Sequence, residues 1–311
     1  MTWTTDDIGD LTGKRAVITG VTGGLGINAA IELAKHGSEL IVTARDATKA
    51  DASVARILEA APDARVSVVS LDLADLSKVA AAAQTVLDGF DRIDIMINNA
   101  GVMVPPERTT VDGFELQIGT NHLGHFAWTA HLWPLLKASD ARVVTVSSVA
   151  HGLAKTVDLA SLTPQGASRR YRRWRSYGES KLANLSFAYE LNRRIQLAGL
   201  GAVSVAAHPG YAATNLTASG ASIGGFSIAS RGMHQISQII GQPAYAGAWP
   251  LLRAATDLEI PGGAFVGPAS MRQTRGNPVL VSSSKASHDE ALAVALWAAS
   301  EAATHLPFEV S

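Results

Sequence analysis

Short runs of β-branched and aliphatic residues alternate along the chain with longer stretches whose apolar positions recur at helical spacing. The runs are RAVITG from residue 15, ELIVTA from 39, RVSVVSL from 65, RIDIMINN from 92, RVVTVSS from 142 and AVSVAAHPG from 202. Between and after them, periodicity predicts helices over about 25–36, 47–60, 75–88, 112–137, 177–198, 243–257 and 287–303. Strand and helix in alternation predict a parallel sheet with helices on both faces, and the strands are too apolar to have a wet face. No repeat or compositional break divides the first 210 residues, so a single doubly wound α/β domain is expected. Two stretches break the rhythm. The segment 150–176, which contains RRYRRWR, lengthens one strand-to-helix connection, and 215–245 is Gly/Ser-rich and then weakly amphipathic. Long connections at the carboxyl ends of such strands handle ligands, which makes both candidate substrate loops.

Composition narrows the partners. A chain of 311 residues, 47% hydrophobic and 17% charged, has material for a large core, and its formal net charge of -1 supplies no general field for nucleic acid or an anionic membrane. The absence of Cys excludes disulfides, thiolate catalysis and cysteine metal sites. The start, MTWTTDDIGD, is acidic where a targeting peptide is basic, and no window reaches eighteen uninterrupted apolar residues. The expectation is a soluble, cytoplasmic protein with no integral membrane span and no nucleic-acid partner. The basic run at 169–175 is one short patch, narrower than a nucleic-acid footprint. His122 and His125 stand three apart with no third ligand nearby, so packed or solvent-facing histidines are expected, not a metal site.

The first strand runs into TGVTGGLG, Thr19 to Gly26, and then a helix. That order puts backbone N–H groups and the positive end of a helix dipole beside an anion, and suits a pyrophosphate. The glycines fit three spacings: Gly20/Gly24/Gly26, Gly20/Gly23/Gly26, and Gly24-x-Gly26-x-x-Ala29. A strand ending near Thr19 makes Gly20 the first turn glycine and disfavours the last. At the end of the second strand, where a carboxylate would accept from a ribose 2'-hydroxyl, stand Ala44 and Arg45, with Asp46 one step beyond. Arg45 suits a 2'-phosphate, so NADP(H) is favoured over NAD(H).

Tyr177 and Lys181, in YGESK, lie one turn apart on one helix face near its start, where an ammonium and the helix N-terminus both favour phenolate. VVTVSS closes the fifth strand with Ser147 and Ser148, of which strand alternation lets one face the same crevice. Asn98, Asn99, Ala100 and Gly101 end the fourth strand, and Asn121 lies in the following helix.

On these residues the sequence resembles the short-chain dehydrogenase/reductase family. TGxxxGxG appears as Thr19-Gly20, Gly24 and Gly26, NNAG as Asn98 to Gly101, YxxxK as Tyr177 and Lys181, and PGxxxT as Pro209, Gly210 and Thr214. GGAFVGP at 262–268, the helix HDEALAVALWAASE and the long gap between Ser and Tyr resemble the retinol-dehydrogenase-like and WW-domain-oxidoreductase-like branch, whose frequent membrane anchor is not expected here. The resemblance implies one Rossmann-type domain over 1–311 with a mostly parallel seven-stranded sheet and selects Gly20, Gly24 and Gly26. Gly23 then occupies a slot where many relatives carry a polar side chain. It further implies that Tyr177 is the general acid/base, that Lys181 lowers its pKa and bonds the nicotinamide ribose, and that Ser148 polarises the carbonyl. Asn121 would hold a water beside Lys181, Thr214 would grip the carboxamide, and Asp72 would accept from the adenine amino group. Asn98 would brace the crevice, and Leu25, Leu73, Ala100, Gly101, Pro209 and Gly210 would complete the cofactor contacts.

The expected function is NADP(H)-dependent hydride transfer with an apolar carbonyl or alcohol, in a homo-oligomer. A catalytically silent sensor or scaffold should have lost Tyr, Lys or Ser, all of which this chain keeps. A C=C reductase of the protochlorophyllide type fits less well without Cys.

Overall fold

The computed structural model describes residues 2–164, 170–210, 243–270 and 272–311. Thr214 and nearly all of the 215–245 segment lie outside the described residues. The strands are β1 (Arg15–Thr19), β2 (Glu39–Ala44), β3 (Val66–Ser70), β4 (Ile95–Asn98), β5 (Arg142–Val146), β6 (Val203–Ala207), β7 (Phe265–Ser270) and β8 (Arg275–Leu280). The helices are α1 (Gly24–Lys35), α2 (Ala47–Ala60), α3 (Leu76–Gly89), the single turn α4 (Leu116–Ile118), α5 (Gly124–Ala138), α6 (Arg173–Leu197), α7 (Ala244–Thr256) and α8 (Glu290–Thr304).

The strands form one sheet in the order β3-β2-β1-β4-β5-β6-β7-β8, parallel except for the β7–β8 pair. Successive side chains of a strand point to opposite faces. Ala16 and Ile18 therefore join Val42, Val144, α1 and α7 in one apolar cluster, while Val17 joins Ile41, Met96, Val143, α3, α5 and α6 in the other. Strand order reverses about β1, which lies between β2 and β4. A crevice is expected at the carboxyl ends of strands at such a reversal, here where Gly20 packs against the Asn98–Gly101 turn.

The structure corrects the sequence expectation at three points. The sheet has eight strands, not seven: RGNPVL adds an antiparallel edge strand whose Gly276 and Pro278 disguise it, Pro being tolerated at a sheet edge. Strand β3 does have a wet face, because it forms the opposite edge, and Val68 is 45% exposed. Helix α6 begins at Arg173, one turn before Tyr177, because RWRS continues the helix upstream.

Candidate active site

The phosphate loop is held by its glycines. Gly20 (φ +77°) and Gly24 (φ +59°) occupy the left-handed region, and a Cβ on Gly26 would lie 2.4 Å from the Gly20 carbonyl oxygen. Gly23, at φ 166°, is extended backbone open to any residue, so the conformation supports the Gly20/Gly24/Gly26 spacing. No side chain caps α1, whereas Asp46 and Asp75 cap α2 and α3. The first N–H groups of α1 therefore have no side-chain acceptor at the mouth of the crevice, the arrangement an anionic phosphate satisfies.

Asp46 accepts from Lys49 N at 3.1 Å and is used in starting α2, which leaves Arg45, exposed at the end of β2, as the cation beside the crevice. Asp72 accepts from Ala74 N at 3.0 Å, shaping the turn after β3, and the buried Leu73 packs its backbone against Gly124. Asn98 corrects the sequence reading. Its side chain is buried beneath α5 and donates to Thr129 Oγ1 at 2.9 Å, away from the crevice. Asn99 does the bracing, its Nδ2 donating to the carbonyls of Thr19 (2.8 Å) and Gly20 (3.2 Å). Ala100 lies against Gly20, where an added Cβ would come within 2.8 Å of its Cα.

Ser147 and Ser148 point apart, as strand alternation requires. Ser147 is buried and its hydroxyl donates to the Lys181 carbonyl at 2.8 Å. The Ser148 hydroxyl accepts from Ala150 N at 3.2 Å and lies near enough to the Tyr177 phenol to oppose the rise in its pKa. Tyr177 is buried, with Trp174 edge-on to its ring and the Lys181 ammonium 5.9 Å from the ring centroid. Lys181 Nζ donates to the Val146 carbonyl at 3.1 Å, sharing that oxygen with Asn184 Nδ2. Ser148, Tyr177 and Lys181 thus converge at the carboxyl end of β5.

Burial sets the charge state of this pair. It pushes the Tyr177 phenol up to about 12 against the opposing effect of Ser148, and it pulls Lys181 down to about 8. In the protein alone, burial works against the phenolate expected from the neighbouring ammonium and helix N-terminus. Tyr177 lies beyond the first turn of α6, where the helix dipole has faded, and desolvation dominates its pKa.

Between α4 and α5 the helix widens into a π turn, Gly119–Leu123, at whose centre Asn121 is fully buried. Its Oδ1 accepts from Val102 N at 2.8 Å, and its Nδ2 donates to the Val102 carbonyl and to Ser180 Oγ, both at 3.0 Å. A Cβ on Gly101 would meet Asn121 Oδ1 at 2.8 Å and lie 3.8 Å from Lys181 Nζ, so only glycine lets this turn pass between them. Gly210 (φ +68°) closes the site from β6: its N–H donates to His208 Nδ1 at 3.1 Å, and His208 Nε2 lies 3.1 Å from Gln273 Oε1. That pairing ties the Pro209–Gly210 turn to the β7–β8 hairpin.

Sequence reasoning gave no role to Thr19 and Asn99, which it read only as motif members, and missed His151 and His208. The His151 ring hydrogen-bonds the Ser148 carbonyl through Nδ1 at 2.6 Å and accepts from Ser284 N at 3.0 Å. Polar residues directly beside the recognisable motifs were the available signal. His122 and His125 are both buried and hydrogen-bonded, and no group of three His, Cys, Asp or Glu poised for a metal occurs among the described residues. Among the same residues no helix is long and apolar enough to cross a membrane.

A glycine-held loop at the sheet reversal and Ser148 beside the buried Tyr177–Lys181 pair at the end of β5 define the class of this α/β protein. The chain belongs to the short-chain dehydrogenase/reductase family: the short chain dehydrogenase profile matches residues 14–222. It is 42% identical over 205 residues to human retinol dehydrogenase 13, covering 66% of this chain and 60% of that protein. It is also 42% identical over 209 residues to human retinol dehydrogenase 12, covering 66% and 64% respectively. The match therefore spans less than two thirds of the length of these relatives. A crystal structure of an uncharacterised protein from Mycobacterium paratuberculosis is similar over 99% of both chains, with 39% identity and a TM-score of 0.79.

Proposed function

We propose that this protein is an NADP(H)-dependent oxidoreductase that interconverts an apolar carbonyl compound and its alcohol, with Tyr177 as general acid/base. The observation that carries the reading is the buried Tyr177–Lys181 pair with the half-buried Ser148 next to it at the carboxyl end of β5. A dinucleotide fits the residues present: the uncapped start of α1 would receive the pyrophosphate, and Arg45 the 2'-phosphate. When bound, the nicotinamide supplies or accepts the hydride.

The chain's own residues handle the oxygen and the proton. In reduction the Ser148 hydroxyl holds the carbonyl oxygen as negative charge builds on it, and Tyr177 passes its phenolic proton to that oxygen. The phenol is protonated at neutral pH because burial holds its pKa near 12. Lys181 faces the phenolate that remains and stabilises it. One of its donors is committed to Val146, leaving the others for the ribose and for returning the proton. In oxidation Tyr177 takes the proton from the alcohol. A cytoplasmic location and a homo-oligomeric assembly belong to the same proposal.

The test is a panel of apolar ketones, aldehydes and secondary alcohols, followed by the absorbance of the reduced nicotinamide. Turnover with NADPH preferred over NADH is expected, and inactivity across the panel would overturn the reading. Arg45→Ala should lower the ratio of kcat/KM for NADPH to that for NADH about tenfold, the scale of one charge-assisted hydrogen bond. An unchanged ratio removes Arg45 from cofactor selection.

A further inference from the structure

His125 is buried in the first turn of α5, and both ring nitrogens are engaged: Nδ1 lies 3.0 Å from the Asn121 carbonyl oxygen and Nε2 lies 2.9 Å from Thr19 Oγ1. A carbonyl oxygen only accepts, so Nδ1 carries the proton and Nε2 is an acceptor. Thr19 then donates its single hydroxyl hydrogen to Nε2 at 2.9 Å in preference to the Ile97 carbonyl at 3.5 Å, and its oxygen is free to accept. It does so twice, from Asn99 N at 2.9 Å and Ala100 N at 3.0 Å. Every donor and acceptor in this chain of bonds has one consistent role, and a doubly protonated ring would break it at Thr19. Burial, with Lys181 adding to it, pulls the imidazole down to about 4 and keeps it neutral at physiological pH.

The two ends of the chain serve different parts of the site. Thr19 ends β1 immediately before Gly20 and, through Asn99 and Ala100, fixes the β4 turn against the phosphate loop. Asn121 holds both backbone polar groups of Val102 and bonds Ser180, the residue before Lys181. The π turn leaves its carbonyl facing His125.

We propose that His125 is a positioning residue that couples these halves: one neutral imidazole locks the phosphate loop and the Asn121 turn beside Lys181 into a single register. The part concerning catalysis rests on the function proposed above, while the coupling itself is a property of the unliganded protein.

Two substitutions separate the arms. Asn at 125 can place an amide N–H where Nδ1 stands but does not reach Thr19, and Gln can place an amide oxygen where Nε2 stands but loses the donor to Asn121. Hydrogen exchange, NADPH affinity by fluorescence quenching, and kcat against pH are measured on the full chain. With His125→Asn, exchange should accelerate at Asn99 and Ala100 and NADPH should bind about fivefold more weakly, with kcat and its pH profile retained. With His125→Gln, exchange should accelerate across 119–125, NADPH affinity should stay within about twofold, and kcat should fall about fivefold with a displaced pH profile. Exchange that changes equally at both arms in both variants, or at neither, overturns the coupling. So does a common fall in melting temperature with no division between affinity and kcat. If the wild type turns over no carbonyl, the proposed function fails, and exchange still decides the role of His125.

Discussion

Tyr177→Phe is expected to lower kcat by about 10³-fold, the scale of a lost general acid, while NADPH affinity stays within about twofold. Only the hydroxyl is removed. The ring keeps its edge-on contact with Trp174, and Ser148 keeps its bond from Ala150 N. Losing one buried hydroxyl costs about 1 kcal/mol, so the variant should remain folded and its binding measurable. The hydroxyl of Ser148, proposed above to hold the substrate oxygen, also remains, so the loss should fall on kcat and leave KM nearly unchanged. Single-turnover kinetics with saturating NADPH check the assignment directly. Undiminished turnover would remove Tyr177 from proton transfer, and a parallel loss of NADPH affinity would assign it to binding.

The frame of this site was legible in the sequence because it rests on residues whose role is set by local backbone demands. Gly20 and Gly24 adopt positive φ, and Gly26 has no room for a side chain, so a strand running into those glycines and then a helix could be read without tertiary knowledge. The β5 end was also legible, since Ser147 and Ser148 must point to opposite faces. What escaped depends on packing across the chain. Asn98 and Asn99 are adjacent and chemically alike, and only the position of Thr129 on α5 decides that Asn98 is the buried one. His125 read as a packed residue because its partner Thr19 is 106 positions away. The edge strand β8 escaped because Gly276 and Pro278 are strand breakers that an edge tolerates. The charge state of the Tyr177–Lys181 pair was read from the neighbouring ammonium and the helix N-terminus, whereas it depends on how completely this part of α6 is buried against the 3-10 turn at Val149–Leu153 and the β5 end.

That burial has a second consequence, at Lys181. Lys181→Met is expected to abolish turnover and yet raise the melting temperature at pH 7. The ammonium is buried with one carbonyl partner, and its pKa falls from an ordinary 10.5 to about 8. Between those values the unfolded chain binds a proton that the folded protein does not, so stability rises with pH across the window from about 8 to 10.5. Below pH 8 both states are protonated and the full penalty, about 3 kcal/mol, is present. Met fills much the same volume without a charge to desolvate. The Val146 carbonyl it abandons still accepts from Asn184 at 3.0 Å, which limits the loss to about 1 kcal/mol. The net gain of about 2 kcal/mol should raise the melting temperature by a few degrees at pH 7, shrinking towards pH 10 as the wild type sheds its penalty. Thermal melts of both proteins between those pH values test the sign. A variant less stable than wild type at pH 7, or a gain that does not shrink with rising pH, would show that Lys181 is held there without strain. The expected pattern instead places a destabilising charge where the proposed chemistry would use one, beside the phenol proposed to give up its proton.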